Sequence, residues 1–408
     1  MKTRRFIYLF AVALGSLLSL LSTGSLIAEE IVMSAFAPRS ARILSQGGSF
    51  TAVAQGYEAL FTNPAAFAGK RGSLTLMLNP WVYGNPRDLL IAAGATESYD
   101  GYTGPRGTLF TGPEGIADYL AYASKGGTGL GGSVGLGWVG KGIGLGVINS
   151  TDIYVQGSPF PGGVHGYVVS EFAFIGGLGF TLADSKNFSL SFGADVRPVV
   201  RFYSPLSATT LVDMLSSPQS VGDNPLNGTT MYTGSALALD AGLQGTLFKN
   251  LSFGLSIRDL FGTRYAMSSY PLGDWIERVG TSGLPQDGSP TNDTYLVPMN
   301  ISAGLGYHVN MGALSWLLDP TVHLELADPL GVFRDKKTPW ALVHLGLDTK
   351  VLRFISLRAG LNQGYLTAGA GIKLLFLDVN VAAFTRELGR YAGDQPSSGF
   401  AVEAALRF

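Results

Sequence analysis

Ten charged or titratable side chains near the end of the chain fall at alternate positions of otherwise apolar stretches: His323, Glu325, His344, Asp348, Arg358, Lys373, Asp378, Arg386, Glu403 and Arg407. Upstream, Asp195, Arg197 and Arg201 share one face of another such stretch. Carboxylates, guanidiniums and imidazoles so placed can pair, hold a neighbouring segment, or line a polar route. Buried charges must be paired or meet water, so the mixed signs read first as a structural network and second as a lining. Arg197, Arg201, His323, Glu325, His344 and Arg358 are the candidate lumen-lining residues. Catalysis is the weaker option. It needs a nucleophile beside a base held by a third group. The chain has no cysteine and four histidines, His165, His308, His323 and His344, none in a motif with serine. Gly135-Leu136-Gly137 lacks the basic residue and helix that a phosphate loop requires, and no metal-ligand spacing stands out. No catalytic residue, metal or cofactor is expected.

The elements that position these residues alternate with a period of two. Phe400, Val402, Ala404, Leu406 and Phe408 oppose Ala401, Glu403, Ala405 and Arg407, which is a strand with one apolar and one mixed face. Val322, Leu324 and Leu326 oppose His323 and Glu325, and Val343, Leu345 and Leu347 oppose His344, Gly346 and Asp348. A lipid-facing band against a polar lumen predicts this arrangement. About fourteen strands of roughly ten residues are expected, near 73–82, 129–139, 142–156, 165–182, 187–202, 232–247, 251–264, 297–308, 320–328, 341–349, 353–361, 364–375, 378–386 and 399–408. Inward turns near 140–141, 183–186, 248–250, 309–319, 350–352 and 376–377 alternate with outward loops, of which 83–128, 203–231 and 265–296 are long. Helical spacing appears in two of them, over Pro113–Lys125 and Leu206–Leu215.

Composition agrees with a transmembrane antiparallel β-barrel. Met1-Lys2-Thr3-Arg4-Arg5, the apolar run Phe6–Leu21 and Ala28 before Glu29-Glu30 have the layout of a secretory signal peptide. Cleavage is expected after Ala28. A retained anchor is the alternative, although the apolar core is short of a span of about 20 residues. Glycine makes up 56 of 408 residues and charged residues 14%, against about 25% charged in soluble domains. Beyond the leader no apolar run is long enough for a spanning helix. An exported, apolar, glycine-rich chain satisfies its backbone in lipid by closing a sheet. The net charge of -1 argues against nucleic acid and gives no field for one ion sign.

Between leader and first strand lie residues that do not read as lipid-facing strand. Gly47-Gly48 marks a turn, Ala52–Leu60 is small and apolar, and Asn63 caps a helical turn opened by Pro64. The run Gly47-Gly48-Ser49-Phe50-Thr51-Ala52-Val53-Ala54, with Ala59-Leu60-Phe61-Thr62-Asn63-Pro64-Ala65-Ala66-Phe67-Ala68, resembles the amino-terminal signature of the FadL-type long-chain fatty-acid transporters. It is as similar to their relatives, the PorV-type barrels and the FadL-like barrels of spirochaetes. Arg358–Gly364 and Thr367–Gly371 resemble those relatives too. The resemblance implies a fourteen-stranded barrel plugged by an amino-terminal hatch, with Asn63, Pro64 and Ala65 shaping the hatch turn. It implies a hydrophobic ligand taken up outside, and transfers no ligand-binding residue.

The expected organisation is a signal peptide over 1–28, a hatch over 29–72 and the barrel over 73–408, in the bacterial outer membrane. Phe408, a final aromatic on an alternating strand, resembles the carboxy-terminal signal read by the barrel insertion machinery. The expected partners are therefore that machinery, outer-membrane lipid and a hydrophobic small molecule, with no nucleic acid. Three functions stay open: transport of long-chain fatty acids or similar apolar molecules captured at extracellular loops, a PorV-type protein-binding barrel serving secretion or surface attachment, and a general diffusion porin.

Overall fold

The computed structural model describes residues 30–36, 38–84, 87, 91, 96–98, 100, 127–157, 164–207, 229–272, 288–291, 293–388 and 391–408. The helical signal at Pro113–Lys125, and that of Leu206–Leu215 beyond residue 207, lie outside them.

Before the barrel come β1 (Glu30–Val32), α1 (Ala41–Leu44) and three short 3-10 turns over Thr51–Val53, Gly56–Phe61 and Pro64–Ala68. The wall then runs through β2 (Ser73–Tyr83), β3 (Thr128–Gly140), β4 (Ile143–Gly157), β5 (Val164–Asp184), β6 (Phe188–Ser207) and β7 (Thr230–Leu247). It continues with β8 (Leu251–Arg258), β9 (Thr263–Pro271), β10 (Ser289–Pro290), β11 (Thr294–Val297) and β12 (Asn300–His308). It ends with β13 (Leu318–Ala327), α2 (Pro329–Arg334), β14 (Val343–Val351), β15 (Ile355–Asn362), β16 (Tyr365–Leu374), β17 (Leu377–Glu387) and β18 (Pro396–Arg407). Neighbours pair antiparallel, and β18 closes on β2 with Leu406 opposite Leu76 and Gly399 opposite Tyr83.

The sheet is a closed barrel of fourteen staves. β8 and β9 form one stave, since both pair with β7, and β10, β11 and β12 form the next. The expected strand at 251–264 therefore breaks at Asp259–Gly262 and resumes to Pro271, inside the stretch expected to be loop. Asp259, Phe261 and Gly262 all have positive φ, which lifts the chain out of the ladder for one turn. The following stave likewise begins before residue 297, at Ser289.

The alternation sorts side chains as lipid and lumen demand. Phe400 and Val402 are each 45% exposed on the outside of β18, while Ala401 between them and Glu403 after them are 1% and 0% exposed. Leu74, Leu76 and Leu78 point out of β2, and Thr75, Met77 and Asn79 are buried inside. Among the described residues no helix is long and apolar enough to cross a membrane.

The staves are unequal. β4 to β7 have 15, 21, 20 and 18 residues, whereas β13 to β16 have 10, 9, 8 and 10. At roughly 3.3 Å per residue, the tall side outreaches the short one by several turns of pleat. Above the short side lie α2 and its flank, with Phe333 74% and Trp340 59% exposed.

Residues 33–72 fill the lumen. Tyr57, Leu60 and Phe67 are buried against Met77, Ile148, Ala173, Ile175 and Val199 of the wall, so the hydrophobic core lies inside the barrel. Glycines of the inner wall admit the hatch backbone. A Cβ at Gly193 would overlap the Pro64 carbonyl, and one at Gly242 the Asn63 side chain. The segment enters beside a wall stave: β1 runs parallel to β11, pairing Glu30 with Thr294 and Val32 with Leu296. Lower down, β12 of the same stave pairs with β13 instead.

Candidate functional site: the lumen and its hatch

Asn63, Pro64 and Ala65 build one buried turn. The Ala65 N–H donates to Asn63 Oδ1 at 3.1 Å, while Asn63 Nδ2 donates to the carbonyls of Thr51 and Leu243, both at 3.0 Å. One side chain thus caps a helical turn, ties two parts of the hatch and anchors both to β7. Pro64 occupies the first helical position, where its missing N–H costs nothing.

The six lumen candidates all face inward and are buried, but they do not meet at one point. Glu325 accepts the backbone N–H groups of Phe50 and Thr51 at 2.8 Å and the Thr51 hydroxyl at 2.9 Å. His344 Nδ1 lies 2.7 Å from the Gly47 carbonyl; a carbonyl only accepts, so that nitrogen carries the proton. Gly47 and Gly48 have φ of 73° and 81°, the left-handed region where glycine is at no disadvantage, and the Gly47 N–H donates to Thr367 at 3.0 Å. His323 has no hydrogen-bond partner for either ring nitrogen among the described residues. Arg358 pairs with Asp348 at 3.3 Å and donates to Asn380 at 2.8 Å.

Across the lumen, Arg197 bridges Asp240 at 3.1 Å and Asp259 at 2.9 Å, and Arg258 joins Asp240 at 3.4 Å. This cluster backs the break in the β8–β9 stave. Arg201 pairs with Glu171 and donates to the Ser34 carbonyl at 2.7 Å. Phe36 lies under the Arg197 guanidinium at 5.5 Å. Asp195 shares the strand face, yet one of its oxygens lacks a partner among the described residues.

Two further clusters join inward residues noted in the sequence, Asp378, Arg386, Glu403 and Arg407, to residues that were not singled out there. Glu58 of the hatch, fully buried, is held by Arg407 at 2.7 Å and Arg42 at 3.7 Å. Arg407 also reaches Asp378 at 2.7 Å, and Ser40 donates to Glu403 at 2.6 Å. Burial works to raise the Glu58 carboxyl, but the two guanidiniums outweigh it and hold the group at about 2. Higher up, Asp152 accepts from Arg39 at 3.2 Å, Trp81 Nε1 at 2.8 Å, Tyr83 at 3.2 Å and Tyr167 at 3.1 Å. The Arg386 guanidinium lies 4.5 Å from the centre of the Tyr83 ring and 5.6 Å from that of Tyr154. A lone inward carboxylate in mid-strand, as at Asp152, Glu171 and Asp240, was the available signal. Glu58 had none, because a 3-10 segment carries no such alternation.

Phe408 extends the closing seam. Its N–H donates to the Leu74 carbonyl at 2.8 Å, the Leu74 N–H donates back at 3.0 Å, and its ring stacks on Phe376. Among the described residues no group of three or more His, Cys, Asp or Glu is placed to hold a metal.

No family model matches the chain, and no curated protein is similar enough to match. Among solved structures it is similar to the Pseudomonas putida toluene transporter TodX, with 11% identity, a TM-score of 0.42 and coverage of 93% of this chain and 99% of that one. It is similar also to the Ralstonia pickettii toluene transporter TbuX, with 12% identity, a TM-score of 0.46 and coverage of 91% and 98%. A Pseudomonas aeruginosa FadL homologue shows 13% identity, a TM-score of 0.44 and the same coverage. These likenesses are loose, and the barrel rests on the strand ladder and on the alternation of its own side chains.

Proposed function

We propose that this chain is a bacterial outer-membrane barrel that passes hydrophobic small molecules, long-chain fatty acids foremost, from the extracellular side past its hatch. The observation that carries this reading is the filled lumen. Residues 33–72 pack a hydrophobic core inside the wall, which is at odds with a water-filled porin. Their other contacts are non-covalent: Glu58 with Arg407, Glu325 with the Phe50–Thr51 backbone, and His344 with Gly47. A plug held by hydrogen bonds and ion pairs is able to shift without breaking the chain. The apolar outer face on β2 and β18 suits lipid.

The test is uptake of labelled oleate by cells with and without the gene, at matched protein levels, together with conductance of the purified barrel in planar bilayers. Gene-dependent uptake with low conductance is the expected result. Steady conductance with no gene-dependent uptake would favour the diffusion porin. Absence of both, with co-purifying proteins, would favour the protein-binding barrel.

A further inference from the structure

The short connections at the lower end carry a one-signed charge. Those at 141–142, 185–187, 248–250 and 352–354 contain Lys141, Lys186, Lys249 and Arg353, and neither these nor the turns at 309–317 and 375–376 contain a carboxylate. The chain as a whole has a net charge of -1, so this is placement and not composition. The same sign continues into the lumen. Beneath the hatch, against β14 to β18, lies a cavity of about 450 Å³. Its cations are Arg42, Arg71, Lys350, Arg358, Lys373 and Arg407, with Arg353 at the lip, and its carboxylates are Asp348 and Asp378 alone.

Pairing uses up part of this charge. Asp348 holds Arg358, Asp378 holds Arg407, and Glu58 behind the lining holds Arg407 and Arg42. No ion pair is formed by Arg71, Lys350, Arg353 or Lys373 among the described residues. Lys350 and Lys373 share the strand parity of the buried Asp348 and of Gly371, which faces the Asn380 and Arg358 side chains. They therefore point into the barrel, not toward lipid. Phe354, in the turn before β15, gives the cavity an apolar edge. Its roof is the Gln55–Gly56 turn, which also borders a second cavity of about 530 Å³ under β5–β7. Lys350, Arg353 and Lys373 are exposed at its mouth, so their pull on an anion is that of clustered cations in water and is open to screening by salt.

We infer that this cavity is an anion site which receives the carboxylate head of an amphiphilic cargo once it has passed the hatch. The inference rests on the transport reading for the direction of travel, but not for the binding chemistry. Lys350 and Lys373 supply the unpaired charge, Arg42 and Arg407 tie the site to the hatch, and Phe354 meets the first methylenes. A neutral hydrocarbon has no use for such a site.

The test uses the full mature chain in a non-ionic detergent, with laurate, dodecanol and inorganic phosphate as probes, read by calorimetry. Laurate is expected to bind, and to weaken roughly tenfold in the Lys350→Gln/Lys373→Gln double variant and at high salt. Dodecanol binding should be the same in both proteins, and Lys336→Gln, on the far side of the barrel, should behave as wild type. Unchanged laurate affinity in the double variant overturns the site. Phosphate displacing laurate at equal concentration overturns the amphiphile assignment in favour of free or lipid phosphate. No preference of the wild-type protein for laurate over dodecanol, with uptake intact, would reject the site alone, whereas intact binding in a protein that supports no uptake would reject the transport reading alone.

Discussion

Against β5, β6 and β7 the hatch meets the wall almost backbone to backbone. Pro64 lies over Gly193, Asn63 over Gly242 and Phe67 against Gly177 and Gly179. Against β13 to β18 the hatch also comes close, with Gln46 over Gly346, Gly47 over Gly360 and Ser45 over Gly369, but here side-chain hydrogen bonds and a buried ion pair are added: Glu325 to Phe50 and Thr51, His344 to Gly47, Glu403 to Ser40, Arg407 to Glu58. Close packing is rigid, because a gap of half an ångström already forfeits much of the contact energy. An ion pair or hydrogen bond can exchange for water or for another partner. The packing around Pro64 on the β5–β7 side is therefore expected to serve as the mount of the hatch, and the charged Glu58–Arg407 contact on the β13–β18 side as its release.

The sharpest way to break that contrast is at Glu58. Glu58→Gln leaves Arg407 and Arg42 without their shared counter-charge and should cost about 3–5 kcal/mol of hatch docking. Hydrogen exchange of amides 40–60 should rise and conductance should increase, with the β5–β7 amides unchanged. Acid should imitate the variant. The folded Glu58 carboxyl sits at about 2, below its ordinary 4.5. Its contribution is thus complete above pH 4.5 and lost as pH falls toward 2. Exchange measured across that window should show the loss in wild type and not in Glu58→Gln. Equal responses would remove Glu58 from the release.

The mount is tested by Gly193→Val, whose side chain must displace the Pro64 backbone. A cost of about 1–3 kcal/mol is expected, seen as a lower thermal midpoint with exchange rising first at residues 62–68. Asn63→Ala removes a cap and orphans the Thr51 and Leu243 carbonyls, for about 1–2 kcal/mol in the same assay. Should either variant loosen residues 40–50 before 62–68, mount and release would have to be exchanged. The smallest effect belongs to Phe408→Ala, outside both regions. Losing the stack on Phe376 should cost about 0.5–1.5 kcal/mol in barrel unfolding and leave hatch exchange untouched.

The sequence made the wall legible because lipid outside and polar lumen inside impose a period of two, and β18, β13 and β14 show it without interruption. It did not reveal where staves break. Asp259 and Phe261 adopt positive φ, which residue type alone does not announce, and the resumed β9 is specified by its pairing with β7. Nor did it reveal β1, whose partner lies 264 residues later, at Thr294. The lumen candidates were found because charges at inward positions are conspicuous among apolar neighbours. Their division between two sides was not, since it depends on which hatch segment lies opposite. Asp152 and Asp240 went unremarked although their inward mid-strand places were readable, and Glu58 because a 3-10 segment carries no such alternation.

The difference in length between β4–β7 and β13–β16 gives the barrel a rim cut on a slant. Phe333 and Trp340 stand on its low lip, where aromatic side chains settle at the level of lipid head groups. On the transport reading, the opening would lean toward the bilayer plane, and a molecule gliding along the membrane surface would meet a threshold where one arriving from bulk water on the opposite side would meet a parapet.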